Sequence, residues 1–568
     1  MNTKLKQALI GVAAMLVFAA THANAQIAIA GSSALYLEVG QAAGTNTSIG
    51  GCVWDDTSKD FTLTDSRFGE AVNDTATAWI SWKPSTVGNC TTVTAGSEII
   101  YLSTDSTVGN RCFFASPRCT ITVGSAVTAG KSASGGLTGI SESALPAAVL
   151  SAISGASINV AATDIRPEDA AFATLRATTA CGSPVVAGSQ YLGLGYSSGQ
   201  AISGASSIIK NGTGGGFNVG KFNLMGTDPY TSNALPGTYV VTPVGAVPVV
   251  VFVNPTNVSG FGSIAISNID RATLAGYLDG TFGATNDMVP GASSTGNGTT
   301  VVIREPLSGT YNTMEYAIPN SVQNQSSQDV GLAALNANTN SIPFPPYNCA
   351  AGIPALSSLD GATGSVNPLA ETVGRASGVT SNRARAIGTG SLVKAVLATP
   401  DSLGYAFWSA ANFNNATAAN GKYLTVDGID PIQETWSDGL IPTASNDLLG
   451  NVSLSHVKDG TYPIWSVLRL VSDSTNATAA QNLATAAAKF LSPAQPDFVP
   501  VSQLPILRSH FAPPGINFPS AGTNLPSNPG STNGEAGGDV GGLVYNSYAD
   551  SVYSSDTGSN TGNTGHRQ

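Results

Sequence analysis

Seven short apolar runs of strand length, at 26–30, 98–102, 157–161, 247–253, 300–303, 403–408 and 465–471, alternate along this chain with stretches of helical spacing at 143–153, 270–278, 391–397 and 478–491. A strand that is apolar on both faces has to be covered on both faces, and helices placed between such strands supply the cover. The order predicts an α/β protein, with helical layers around mainly parallel sheets.

Between these elements lie polar stretches at about 46–95, 175–238 and 318–380, too long for ordinary connections and expected to be elaborations of a smaller scaffold. The six cysteines are Cys52, Cys90, Cys112, Cys119, Cys181 and Cys349. Up to three disulfides are expected, with Cys112–Cys119 closing a small loop and Cys52–Cys90 a plausible second pair, although spacing alone leaves other connectivities open. From about residue 516 onward Gly, Ser, Asn and Thr dominate, which predicts a flexible low-complexity tail over 516–568.

At the N-terminus, Lys4 and Lys6 precede an apolar run that ends in Ala23-Asn24-Ala25, the pattern of a cleavable secretory signal over 1–25. Periplasmic or extracellular residence is therefore expected. No later run reaches the length of a membrane span, so no membrane insertion is expected. Without Lys4 and Lys6 the chain carries 22 basic residues against 35 acidic ones, a formal charge of −13. That balance makes nucleic acid an unsuitable partner. His456, His510 and His566 are the histidines beyond the signal, and with no CxxC spacing the sequence predicts neither a metal site nor a cofactor.

Three predicted strands end in residues suited to an oxyanion. IAIAGSSA (27–34) runs into a turn of small residues whose amides can approach a ligand closely. INVAATD (158–164) stops at an acid. VVIREPLSGTYNTMEY (301–316) places Arg304 at a strand end, then Ser308, Gly309 and Thr310 at a helix start. A guanidinium fork, hydroxyls and helix-start amides are donors for a buried tetrahedral anion. Asp164 fits among them only if the anion carries a proton for it to accept. Monohydrogen phosphate does and sulfate does not, so such an acid discriminates between them.

The order strand-GSSA, strand-ATD and strand-R-x-x-x-SGT resembles the phosphate-binding proteins of ABC transporters, which are type II periplasmic binding proteins. The resemblance extends to VPVVVFVNP (247–255), IDRATLAGYLDGTFG (269–283), GTGSLVKAVLATPDSLGYAFW (388–408) and YPIWSVLRLV (462–471). It implies a two-lobed fold with mixed sheets, disulfide-bearing insertions and a ligand held between the lobes. Lobe I would comprise 26–246 and 441–515, and lobe II 247–440, with hinges near 240–250 and 425–460 absorbing closure. Carried over by position, Ser33 and the amide of Ala34 form the first contact loop, Asp164 the second, and Arg304, Ser308, Gly309 and Thr310 the third. A further serine contact falls on Ser103 or Ser106, or on Ser132 or Ser134; Ser106 is preferred because 98–102 is the clearer preceding strand. The implied ligand is inorganic phosphate or a related protonated oxyanion, the implied partner an ABC permease, and the protein is expected to be a monomer and not an enzyme.

Each feature also has an ordinary reading. Ser308 can simply cap a helix, Asp164 can open a turn before Pro167, and Glu305 and Arg166 offer local ion-pair partners. Gly195-Tyr196-Ser197-Ser198-Gly199 satisfies G-x-S-x-G, which gives a secreted serine hydrolase using Ser197 as one alternative. Ser391 and Lys394 form S-x-x-K without the motifs that accompany it in hydrolases. A third possibility is an extracellular structural or interaction protein that kept the fold and lost the ligand.

Overall fold

The computed structural model describes residues 27–45, 50–72, 76–128, 145–167, 170–171, 222–278, 282–289, 297–304, 308–318, 388–436, 438–490 and 497–504, together with short strand segments at 372–374, 380–386, 506–508, 540–543 and 566–567. The principal strands are β1 (Ile27–Gly31), β2 (Cys52–Asp65), β3 (Ala76–Trp82), β4 (Ile99–Ser103), β5 (Thr120–Val123), β6 (Val160–Thr163), β7 (Val240–Val253), β8 (Thr300–Arg304), β9 (Thr380–Ala386), β10 (Ser402–Phe407) and β11 (Trp465–Ser472). The principal helices are α1 (Tyr36–Thr45), α2 (Ser106–Phe113), α3 (Ala147–Ile153), α4 (Arg271–Leu278), α5 (Gly309–Ala317), α6 (Thr389–Ala398) and α7 (Ala477–Phe490).

One mixed sheet runs through the molecule in the order β9-β8-β10-β7-β11-β6-β1-β4-β3-β2. Its parallel parts are two: β6, β1 and β4 in the first half, and β9, β8 and β10 in the second. The strands between and beyond them are antiparallel. β7 joins the halves, since Val240–Pro248 pairs with β11 and Val249–Val253 with β10. Pro248, inside the apolar run 247–253, and Pro243, ahead of it, do not end this strand. Pro243 sits where the β7–β11 register slips between Leu468 and Arg469, a bulge at which a missing amide hydrogen is tolerated. Residues 425–460 place Val426, Ile432, Val452, Leu454 and Val457 in the large hydrophobic core, and the chain re-enters the first half through β11.

Period-two burial explains why the first half is covered on both faces. Ile27, Ile29, Tyr101 and Trp79 face one core, while Ala28, Ala30, Leu102, Ala78 and Ile80 face the other. Trp79 stacks on Tyr101 with centroids 5.6 Å apart and donates its indole N–H to the Tyr36 carbonyl at 2.8 Å. Burying aromatic side chains of this size contributes about 1.5–3 kcal/mol each. Strand β6 begins three residues later than the apolar run suggested, because the Asn159 side chain accepts the Ala28 amide at 2.9 Å in place of a ladder partner. Pro146 occupies the N-cap of α3, so that helix starts at Ala147.

The stretch 46–95 is an elaboration built of strands: β2 and β3 extend the first half of the sheet beyond β4. Cys52 and Cys90 are bridged across it, and Cys112 and Cys119 close the loop after α2. Cys181 and Cys349 lie outside the described residues, as do the signal segment 1–25 and most of the stretches 175–238 and 318–380. Within the expected tail, Val540–Leu543 pairs with Ile506–Arg508 and with His566–Arg567; the rest of the tail is outside the described residues. Among the described residues no helix is long and apolar enough to cross a membrane, and no group of three or more potential metal ligands is present.

Candidate functional site

β1, β6 and β8 each deliver their last residue, or the one after it, to one crevice between the halves, and the turns that follow β4 and β9 add Asp105, Ser106 and Thr389; this is where open α/β sheets place their ligands. From β1 the chain turns at Gly31, whose φ of +138° and close approach to the Ala162 carbonyl admit no side chain. This turn brings Ser32 against β6. The Ser32 amide donates to the Ala162 carbonyl at 2.9 Å, and its hydroxyl accepts from the Ala34 amide at 3.1 Å and donates to the Asp164 carboxylate.

Asp164, at the end of β6, is 4% exposed. Its amide donates to Ser106 Oγ, at the start of α2, at 3.1 Å. The Ser466 hydroxyl and the Arg469 guanidinium, both on β11, donate to its carbonyl. Burial pushes the Asp164 carboxyl up to about 6, against the hydrogen bonds from Ser32 and Ser106 and the positive charges of Arg304 and Arg469. Tyr101 lies behind it, donating to the Ser32 carbonyl. Burial and then the Asp164 charge raise its phenol well above the ordinary value.

From the second half, β8 ends at Arg304, 1% exposed. Nη1 donates to Thr389 Oγ1 at 2.6 Å and to Thr310 Oγ1 at 3.4 Å, and Nη2 donates to Asp105 Oδ1 at 3.0 Å. The last of these spans the halves, because Asp105 is the N-cap residue of α2. Ser33 also reaches across, with its hydroxyl 3.2 Å from that of Thr389. Gly309 faces Asp164 and Ser106 so closely that a Cβ there would lie 2.3 Å from Asp164 Oδ2 and 2.5 Å from Ser106 Oγ.

Ser33, Ser106, Asp164, Arg304, Gly309 and Thr310 are thus brought together. Ser308 is beside them, but its hydroxyl accepts from the Tyr311 amide at 3.4 Å and serves as the cap of α5. The Ala34 amide is held within the turn by Ser32. Ser103 is the last residue of β4, three residues before Ser106, while Ser132, Ser134 and Glu305 lie outside the described residues. Arg166 is 2% exposed, so the ordinary surface ion pair does not describe it.

Sequence reasoning did not nominate Ser32, Asp105, Thr389 or Arg469. Thr389 had a legible signal, because GTGS (388–391) stands between a strand and a helix as GSSA does. Asp105 had a weaker one, an acid at a helix start. Arg469 had none, being a lone basic residue in an apolar strand. Of the other motifs, Ser197 lies outside the described residues, and Ser391 and Lys394 sit on α6, where Leu392 and Val393 are buried and Lys394 points to solvent.

A buried ion cluster holds α2 in place. Asp65 receives Arg67 and Arg111 at 2.8 Å each, and Arg67 reaches Asp228 at 3.1 Å, with Asp65, Arg67 and Asp228 side chains fully buried. Arg111 is on α2, five residues after Ser106, so the elaboration β2–β3 is tied to the helix that opens at the crevice. The cationic partners Arg111 and Arg67 lower the Asp65 carboxyl to about 2, against the effect of burial.

No family model matches the chain, and no curated protein matches it. Among solved structures, the chain is similar to a high affinity periplasmic phosphate-binding protein, PfluDING, with phosphate bound (10% identity, 84% of this chain and 91% of that one, TM-score 0.31). It is also similar to a phosphate-binding protein from Stenotrophomonas maltophilia (16% identity, 71% and 84%, TM-score 0.30). A third similarity is to an ABC-type phosphate transport receptor from Vibrio cholerae (12% identity, 47% and 75%, TM-score 0.25).

Proposed function

We propose that this chain is a non-catalytic solute-binding protein that captures phosphate or a similar protonated oxyanion between two lobes, exported to the periplasm or beyond and serving ABC-type uptake. The observation that carries the reading is the meeting of Arg304 and Asp164 in one buried crevice, among the hydroxyls of Ser33, Ser106, Thr310 and Thr389. Helices α2 and α6 start there without a side-chain cap, so their first amides add partial positive charge. Arg304 supplies the charge for the anion, and Asp164 accepts the ligand's proton. Each acts on a different property of the guest, and together they select a tetrahedral anion that is both charged and protonated.

A second reading is favoured by one observation: the Arg304 guanidinium already reaches Asp105, Thr389 and Thr310. A crevice whose groups satisfy one another is what a chain that kept the fold and lost the ligand would have. Thermal unfolding with and without added anions separates the two. Under the first reading inorganic phosphate raises the Tm of the full chain by several degrees and sulfate at the same concentration does not. A Tm indifferent to phosphate leaves the second reading. Mass spectrometry of small anions released from the native protein identifies the cargo directly.

A further inference from the structure

Asp105 stands at the N-cap of α2, where an aspartate ordinarily accepts an amide of the first helical turn, yet its side chain makes no capping bond. It is turned to the Arg304 guanidinium on the opposite half, with the two side chains 4% and 1% exposed. The crevice therefore holds two carboxylates where recognition of one ligand proton needs only one. Resting on the phosphate reading, we propose that Asp105 is a specificity-determining residue, and that the species captured is the singly charged dihydrogen form of the oxyanion.

Two independent considerations lead there. The first is charge. With Asp164 ionised, Asp105 and Asp164 offset Arg304 and Arg469, whose guanidinium abuts the Asp164 carbonyl. What remains to balance a guest is the partial charge of three helix starts, α2, α5 and α6, roughly half a unit each. That suits a monoanion and leaves a buried dianion under-compensated. The second is hydrogen-bond polarity. Ionised carboxylates only accept. A dihydrogen anion brings two O–H groups for Asp164 and Asp105 and two bare oxygens for Arg304, the hydroxyls and the amides. A monohydrogen dianion brings one O–H group and sets a bare oxygen against the second carboxylate.

The neighbouring titratable groups do not obscure the effect. Tyr101 and Glu38 are both held well above their ordinary values by burial. Arg166 is buried two residues beyond Asp164. Asp164 changes state at about 6, below the near-neutral range in which phosphate exchanges its monoanion for its dianion.

The test is calorimetric titration of the full chain with inorganic phosphate from about pH 6 to about pH 9. The expected result is an apparent affinity that falls about tenfold per pH unit above neutrality as the monoanion is depleted. In Asp105→Asn the amide can donate to a bare oxygen, and the fall is shallower, so that the variant outbinds the wild type at alkaline pH. Affinity of the wild type that stays level across the range overturns the inference while leaving phosphate capture standing. That measurement needs no variant, so it decides even if Asp105→Asn does not fold. A variant with the wild-type slope removes Asp105 from the explanation. Absence of heat at every pH overturns phosphate capture itself, and the inference with it.

Discussion

Gly309 approaches Asp164 across the crevice so closely that a methyl group added to it would lie 2.3 Å from the carboxylate oxygen. Gly309 is the first residue of α5 and does not adopt the left-handed conformation, so it is the contact between the halves and not the backbone that calls for glycine. Gly309→Ala is expected to leave the apo protein folded, with a Tm within a few degrees of wild type, and to hold the halves apart. The stabilisation by phosphate then disappears, and small-angle scattering of the phosphate-saturated variant gives the larger radius of the two proteins.

Arg304→Lys keeps the charge and loses the fork. One ammonium cannot serve Thr389, Thr310 and Asp105 at their present separate directions, and it leaves the two carboxylates poorly compensated. Phosphate affinity is expected to drop at least about 100-fold, about 3 kcal/mol, by calorimetry, and Arg304→Ala to drop it further. A loss below tenfold would place the anion elsewhere.

Asp164 makes the apo protein's stability depend on pH in a definite sense. Its carboxyl lies at about 6 in the folded chain and near 3.8 when unfolded, so the folded state binds the extra proton between those values. Stability is therefore greatest below about pH 4, declines as pH rises to about 6, and is level beyond. The contribution is of order 2–3 kcal/mol for a group this buried. Chemical denaturation of wild type and Asp164→Asn across that window should converge at low pH and diverge above it.

Asp65 acts in the opposite sense. Arg111 and Arg67 hold its carboxyl at about 2, so the stability it contributes is full above the ordinary carboxylate value and is lost as pH falls toward 2. Because the cluster is buried, Asp65→Asn removes the carboxylate that Arg111 and Arg67 share, although Arg67 retains Asp228, and is expected to cost about 3–5 kcal/mol at neutral pH. Since Arg111 is on α2, phosphate affinity should weaken as well.

The strands that proved legible were those whose apolar runs stand free of Pro and Asn: β1, β4, β8, β10 and β11 all fall within two residues of the runs that foretold them. Helices α4, α6 and α7 were equally plain, from spacing alone. β2 and β3 were not, because CVWDDTSKDFTLTD alternates Asp, Thr and Lys with its apolar residues and reads as a polar connection until a neighbouring strand buries one side of it. α1 and α2 escaped for a related reason. Glycine and small polar residues dilute their apolar faces, which are set by seating α1 against α7 and β3 and α2 against β1 and β6. At the crevice, residues on the strand-to-helix turns could be nominated because turn chemistry is local. Asp105 and Arg469 could not, because their roles follow from partners 199 and 305 residues away.

The double crossing through β7 and β11 also fixes when each half can be completed as the chain leaves the ribosome. Among the described residues the second half has all its strands by residue 426, whereas β6 waits for β11 at 465–472 and α1 waits for α7 at 477–490. The half that is made first is closed last, and until then its parallel strand β6 offers a bare edge to any passing chain.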